Sequence, residues 1–349
     1  MRAFYMANEK ITVLVPVLNE EKYIGGFLKS LLRQDYPENL MEVLFLDGGC
    51  RDDTIPAIKE QMGDACRFGK LRYRILKNPG HTAPCAMNLG IREAAGEILV
   101  RMDVHRIYPS DYISKCVYYL ITTDADNVGC PVIQKGGGKG LIGRCIAEVL
   151  TSDFGVGASA YRKGNRFFAD DKEPEYVDTV PLGTFRKDLA LKLGGFDERY
   201  PRAEDNDFNY RIRKAGGKIL LFKEIHTVYY CRSSVAELIH MGYGNGGSIG
   251  AVFLKEPRTV SIRHFVPLGF VISLAGGSAL SHKIPLIRNL LKLELSVYAF
   301  LCAAAAVRSR VGVLKKILLI PLFPILHISY GIGTAVGLVR EIGNRLLGG

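Results

Sequence analysis

Between Ile11 and Asp103 the chain repeats one pattern. Short runs of strand length alternate with stretches of helical periodicity, the first of them apolar and β-branched. The runs are Ile11–Val17 (ITVLVPV), Met41–Leu46 (MEVLFL), Leu71–Leu76 and Glu97–Met102 (EILVRM). Apolar residues at Tyr23, Ile24, Phe27, Leu28, Leu31 and Leu32 mark a helix after the first. Asp52 and Asp53 precede a helix from Thr54, and Ala83–Ala95 reads as a third, stopped by Gly96. Near-continuous apolar strands separated by helices are buried on both faces, which predicts a parallel sheet covered by helices, an α/β fold. Ligands of such sheets sit beyond the carboxyl ends of the strands. Asn19, Asp47, Asn78 and Asp103 each fall just past a strand end, so they are expected to share one rim.

The later chain is organised differently. Residues 130–180 are glycine-rich and read as loops, with Gly136-Gly137-Gly138 the most flexible point. Glu204–Ala215 reads as a helix and Lys218–Phe222 as a short strand. After about residue 265 come three apolar stretches: Phe265–Leu280 with 16 uncharged residues, Ser296–Val307 with 12, and Ile317–Val339 with 23. About 20 apolar residues span a bilayer, so one to three membrane-inserted helices are expected. The net charge of +11 is concentrated late, in residues such as Arg263, Lys283, Arg308, Lys315 and Lys316. Basic clusters beside apolar runs suit an anionic membrane surface. No basic stripe in the first part calls for nucleic acid. The eight cysteines form no CxxC pair, which argues against a zinc ribbon and fits reduced thiols. Met1–Lys10 is short and polar, and Ile11–Leu18 is too short for a signal-peptide core. The expected division is a catalytic domain at 1–235, an interfacial linker at 236–264 and a membrane-associated helical region at 265–349.

The chemistry is expected at Asp103-Val104-His105. A carboxylate and an imidazole at i and i+2 on a strand end can reach one divalent cation, and this pairing suits Mn²⁺. Such a cation would neutralise a nucleotide diphosphate leaving group. A lone DxH is often only a turn; its place after the fourth strand raises it. His226 is the candidate third ligand, with a satisfied core histidine as the equal alternative. Glu204, Asp205 and Asp207 open a helix. One acid there would be explained by capping, but three raise the pKa of at least one member and offer a general base for a sugar hydroxyl. Asp47 reads as a cap or as a group accepting from a base or ribose. Asn19 and Glu20 read similarly, and Lys77-Asn78-Pro79-Gly80 is a turn that can also meet a ligand. No glycine-rich phosphate loop precedes the first helix, which disfavours a nucleotidyltransferase.

In order along the chain stand VPVLNEE (15–21), LDGGCRDDT (46–54), NPGHTAPCAMNLGI (78–91), RMDVHRIYP (101–109), VDTVPLGTFRKDL (177–189), GGFDERYPRAEDNDFNYRIRKAGG (194–217) and YYCRSS (229–234). The set resembles the inverting family-2 glycosyltransferases over about two-thirds of the chain, and looks most like the succinoglycan-type exopolysaccharide branch. The resemblance implies the nucleotide-diphospho-sugar transferase (GT-A, Rossmann-like) fold. It implies that Pro16, Val17, Asn19, Glu20 and Asp47 hold the nucleotide and that Asn88 lines the donor site. Asp103 and His105 would replace the family's Asp-x-Asp metal motif, with Mn²⁺ or Mg²⁺ bound. Asp205 would deprotonate the acceptor, with Glu204 beside it, in a single inverting displacement. The implied acceptor is a lipid-linked or membrane-proximal glycan at the cytoplasmic face. Processive members carry a Gln-x-x-Arg-Trp motif; this chain has no tryptophan and reads His240-Met241-Gly242-Tyr243-Gly244-Asn245 there, which argues for non-processive transfer. The alternatives are a polyprenyl-phosphate glycosyltransferase and a silent membrane scaffold that keeps a nucleotide-sugar fold.

Overall fold

The computed structural model describes residues 8–68, 71–138, 140–157, 173–200, 202, 204–257, 260–309 and 311–347. The four apolar runs form β1 (Ile11–Val17), β2 (Met41–Asp47), β3 (Arg72–Lys77) and β4 (Ile98–Arg101), all parallel. Helices α1 (Glu21–Leu31), α2 (Thr54–Phe68) and α3 (Ala83–Glu93) connect them. The amphipathic spacing of α1 places Ile24, Phe27, Leu28 and Leu31 in the core against β1, all at most 1% exposed. Its start is tied to that of α2: Asp52 accepts from the Glu21 and Thr54 amides, and the Thr54 hydroxyl accepts from the Glu20 amide.

Beyond β4 lie β5 (Arg106–Ile107), α4 (Tyr112–Thr122), β6 (Asn127–Gly129), β7 (Val132–Lys135), α5 (Leu141–Thr151) and α6 (Asp153–Val156). These are followed by β8 (Glu175–Tyr176), β9 (Thr184–Arg186), α7 (Lys187–Lys192), α8 (Glu204–Lys214), β10 (Ile219–Leu221) and β11 (Thr227–Tyr230). The main sheet has the order β3-β2-β1-β4-β9-β6-β10-β8. It is mixed rather than purely parallel, because β9 runs antiparallel between β4 and β6. These later strands are only two to three residues long, too short to show a period in sequence.

The chain divides into two compact units. One comprises residues 1–133 and 163–229; the other comprises 134–162 and 230–349. This differs from the expected division at 235. A middle segment belongs with the C-terminal unit, and the expected linker at 236–264 is mostly a 21-residue helix, α9 (Val235–Lys255), begun by an N-cap in which Ser234 accepts from the Glu237 amide. The glycine run at 136–138 also differs from the flexible loop expected. An added Cβ on Gly136 would meet the Arg144 amide nitrogen at 2.5 Å, so close backbone packing requires that glycine.

The C-terminal unit ends in α10 (Val266–Ser281), α11 (Pro285–Arg308) and α12 (Val313–Leu347). Three helices, Ile262–Ser281, Pro285–Arg308 and Val313–Leu346, are long and apolar enough to cross a membrane. They carry unburied apolar residues such as Ile272, Leu286, Phe300 and Val339. The polar groups between them are paired: the Ser273 hydroxyl donates to Glu294 at 2.5 Å, and Tyr298 and His327 meet at 2.7 Å. Helix α9 lies along α12 through small residues. A Cβ on Gly246 would stand 2.0 Å from the Tyr330 carbonyl oxygen, and one on Gly250 would stand 2.4 Å from that of Thr334. Conversely, a Cβ added to Gly333 or Gly337 would stand 2.1 Å from the carbonyl oxygen of Tyr243 or Gly247, respectively. Such small-residue stripes let two helix backbones touch.

Candidate active site

The rim expected beyond the strand ends is present in the first unit. Pro16 and Val17 end β1, opposite Leu46 and Asp47 of β2. Asn19 follows in the left-handed region, φ 56°, which Asn tolerates better than most residues. Its side-chain oxygen accepts from the Arg51 amide at 2.9 Å. Asp47 accepts from the Gly49 and Cys50 amides at 2.9 and 2.8 Å. Partial burial pushes the Asp47 carboxyl up, but those hydrogen bonds and nearby Lys77 outweigh it and hold the group below its ordinary value. Asn78 is 3% exposed; its amide nitrogen donates to the Asp47 carbonyl, and its side chain closes the turn to Gly80 and Thr82. Asn88 on α3 is committed differently. Its side chain donates to the Phe196 carbonyl and to Glu198, and accepts from the Phe196 amide at 2.7 Å. It therefore pins the Gly194–Asp197 turn.

Asp103 lies two residues past the end of β4. The Tyr108 hydroxyl accepts from the Asp103 amide and donates back to its carbonyl, fixing the turn. One Asp103 oxygen, Oδ1, accepts from Arg101 Nε at 3.1 Å. The side chain is 32% exposed, and among the described residues Oδ2 accepts no hydrogen bond. His105 Nε2 meets Glu20 Oε1 at 2.9 Å, which leaves Nδ1 for a ligand. A carboxylate behind an imidazole is the arrangement that orients metal-binding histidines. Glu20 Oε2 is buried with no hydrogen-bond partner, an oxygen that a bound group would satisfy. Asp103 and His105 would be the ligands of any divalent cation here, with Glu20 as the carboxylate behind the imidazole.

His226 directly precedes β11, whose antiparallel register pairs Val228 with Ile107 and Tyr229 with Arg106. The ring that faces His105 across the strands is Tyr229, at 6.4 Å, while Tyr23 is edge-on at 4.6 Å. Among the described residues no group of three or more His, Cys, Asp or Glu could hold a metal ion, so the expected three-residue set is not assembled.

Glu204 and Asp205 open α8, and both converge on a residue the sequence reading passed over. Arg101 Nη1 donates to Asp205 Oδ1 at 2.8 Å and Nη2 donates to Glu204 Oε1 at 3.1 Å. The signal was available: EILVRM is an apolar strand with one cation inside it, and a buried guanidinium needs acidic partners. Arg101 and Asp103 share a side of β4 and its extension because side chains alternate along a strand. Burial, the strongest influence, pushes the Glu204 carboxyl up to about 7 against the pull of Arg101. Burial raises Asp205 too, with Arg101 again opposing and Asp103 adding to the rise. The site therefore holds a carboxylate pair with raised proton affinity about one fixed cation, next to an exposed carboxylate.

Residues 12–187 match the model of the family described as Glycosyl transferase family 2. The succinoglycan biosynthesis protein ExoA of Rhizobium meliloti is 27% identical over 79% of this chain and 81% of its own. A dolichyl N-acetyl-α-D-glucosaminyl phosphate 3-β-D-2,3-diacetamido-2,3-dideoxy-β-D-glucuronosyltransferase of Methanococcus voltae is also 27% identical, over 76% of this chain and 79% of its own. Among solved structures, the mannosyltransferase PcManGT of Pyrobaculum calidifontis, in complex with GDP-Man and Mn²⁺, superposes with a TM-score of 0.63. It shares 17% identity over 97% of this chain and 88% of that one, and the shared feature is the GT-A fold.

Proposed function

The chain belongs to glycosyl transferase family 2, and from that premise we propose that it moves one sugar from a nucleotide-diphosphate donor to a lipid-linked glycan, inverting the anomeric carbon. The observation that carries this reading is the convergence of Asp103, from the end of β4, and Asp205, from the start of α8, on the single Arg101 guanidinium. A donor-side carboxylate and an acceptor-side carboxylate are then neighbours, as one in-line displacement requires. Asp205 accepts the proton of the acceptor hydroxyl as its oxygen attacks. No enzyme nucleophile is needed, so configuration inverts. Asn19, Glu20, Asp47 and Asn78 line the rim where the nucleotide lies, beside Pro16 and Val17. Asn88 acts on the donor side indirectly, through the turn it holds.

Asp103 and His105, with Glu20 behind the imidazole, would hold Mn²⁺ or Mg²⁺, which supplies charge neutralisation for the departing nucleotide diphosphate. Asp103→Ala should abolish the extra thermal stabilisation that Mn²⁺ gives in the presence of UDP or GDP, while the nucleotide-free melting temperature stays near the parent's. A differential scanning measurement in detergent checks this.

The raised carboxyls set the pH dependence. Asp205 works only when deprotonated, and its affinity for a proton is raised, so activity is present above its pKa and lost as pH falls through it. The acid limb of kcat is expected above the ordinary carboxylate range, because burial raises Asp205 against the pull of Arg101. A rate profile from about pH 5 to about pH 9 would reveal it.

The three apolar C-terminal helices and their basic flanks support attachment to the cell membrane, with the catalytic unit on the cytoplasmic side, where nucleotide sugars are made. The two curated relatives named above support synthesis of an extracellular polysaccharide or glycoconjugate. The absence of tryptophan, and with it of a Gln-x-x-Arg-Trp motif, supports transfer of one sugar per encounter. Purified protein in detergent, Mn²⁺ and a panel of nucleotide sugars would test the donor half. Polyprenyl phosphate against a polyprenyl-diphosphate sugar would test the acceptor; transfer to the phosphate alone would favour a polyprenyl-phosphate glycosyltransferase.

A further inference from the structure

We propose that Arg101 is a positioning residue of the transfer reaction: one guanidinium sets the donor-side carboxylate Asp103 and the acceptor-side carboxylates Asp205 and Glu204 in a common register. This rests on the reading of Asp205 as the base. The Arg101 side chain is 6% exposed, and three of its nitrogens each serve a different carboxylate: Nε to Asp103 at 3.1 Å, Nη1 to Asp205 at 2.8 Å and Nη2 to Glu204 at 3.1 Å. A single carboxylate would compensate the charge of a buried arginine. Three gather here, and two of them come from a helix that starts 103 positions later in the chain.

The geometry explains why arginine stands there. The guanidinium is planar and rigid, and its donors point in fixed directions, so the relative placement of three acceptors follows from one side chain. A lysine ammonium is a point charge on a flexible stem and transmits no such geometry. The fork also decides which oxygens remain for chemistry. Asp103 spends Oδ1 on Arg101 and keeps Oδ2 on the exposed side. Asp205 likewise spends Oδ1, and 26% of its side chain remains exposed. Three donor nitrogens of Arg101 are committed to carboxylates, so it acts through the groups it aims.

Arg101→Lys separates charge from geometry. It is expected to lower kcat by about 10²-fold, the loss that a misplacement of about 1 Å produces, with the donor KM close to the parent's. Arg101→Gln, which loses both, should fall further. The decisive measurement is a double-mutant cycle with Asp205→Asn, read as kcat and KM, with melting temperatures recorded for every variant. If Arg101 acts through Asp205, Arg101→Lys should cost little more in the Asp205→Asn background, because residues working as one unit are not additive. Losses that multiply would overturn the proposal. So would an Arg101→Lys protein with parental kcat, or one in which only KM rises. Should Asp205→Asn alone keep parental activity, the base assignment fails and the proposal with it, whereas an impaired Asp205→Asn beside multiplying losses sinks only the role given to Arg101.

Discussion

Asp205→Asn is expected to lower kcat by about 10²- to 10⁴-fold, the contribution of a positioned general base, while the nucleotide sugar still binds. The substitution keeps the side chain's shape and one acceptor oxygen for Arg101 Nη1, which now sits 2.8 Å from Oδ1. It removes only the capacity to take a proton. Initial rates at saturating donor, paired with nucleotide-induced thermal shifts, distinguish a lost base from a collapsed site. Retained binding with lost turnover is the expected pair of results; parental turnover would remove Asp205 from the chemistry. Asp207 is the internal comparison. It is engaged by Arg211 at 2.7 Å, one turn on along α8, and Asp207→Asn should act on stability more than on turnover.

The second large effect concerns two adjacent glycines of α9. Gly246→Ala brings a methyl within 2.0 Å of the Tyr330 carbonyl oxygen, a backbone atom that cannot swing aside. Gly247→Ala meets nothing closer than 3.6 Å. Both changes gain the same helix propensity, roughly 1 kcal/mol. They should nonetheless differ in sign. Gly246→Ala is expected to destabilise by about 3 kcal/mol through overpacking, a fall in Tm of roughly 6 °C or more. Gly247→Ala should be neutral or slightly stabilising. Melting curves of the two proteins in the same detergent decide the matter, and equal behaviour would show that α9 and α12 do not touch as described.

Much of the first hundred residues was legible because periodicity is local. Three buried strands, a half-exposed edge strand (β3) and three connecting helices announce themselves in runs of 4 to 15 residues, and the polar residues past each strand end marked the rim. The parallel direction of these strands followed from the alternation with helices, while their order did not. What sequence did not disclose depends on contacts between distant segments. The antiparallel β9 is three residues long and gains its place only from neighbours on both sides. His226 reads as a ligand by type, but only contacts across the fold decide which groups it meets. Gly136 reads as flexible by composition, yet it is required by the backbone of Arg144. Asn88 reads as a donor contact and proves to be the clamp of a turn more than a hundred positions away. Arg101 was within reach, since a cation in an apolar strand demands partners, but only the fold could name them.

The glycine contact between α9 and α12 also governs when this half of the protein can be completed. A ribosome releases α9 well before α12, because α10 and α11 lie between them in the chain. Until α12 emerges, the bare backbone stripe at Gly242, Gly246 and Gly250 has no surface to meet. The α9–α12 contact therefore closes late, like a latch whose tongue is made after its frame. Shortening the chain before Val313 would strip α9 of the partner that covers it, so a stop codon there would act on a helix begun far upstream.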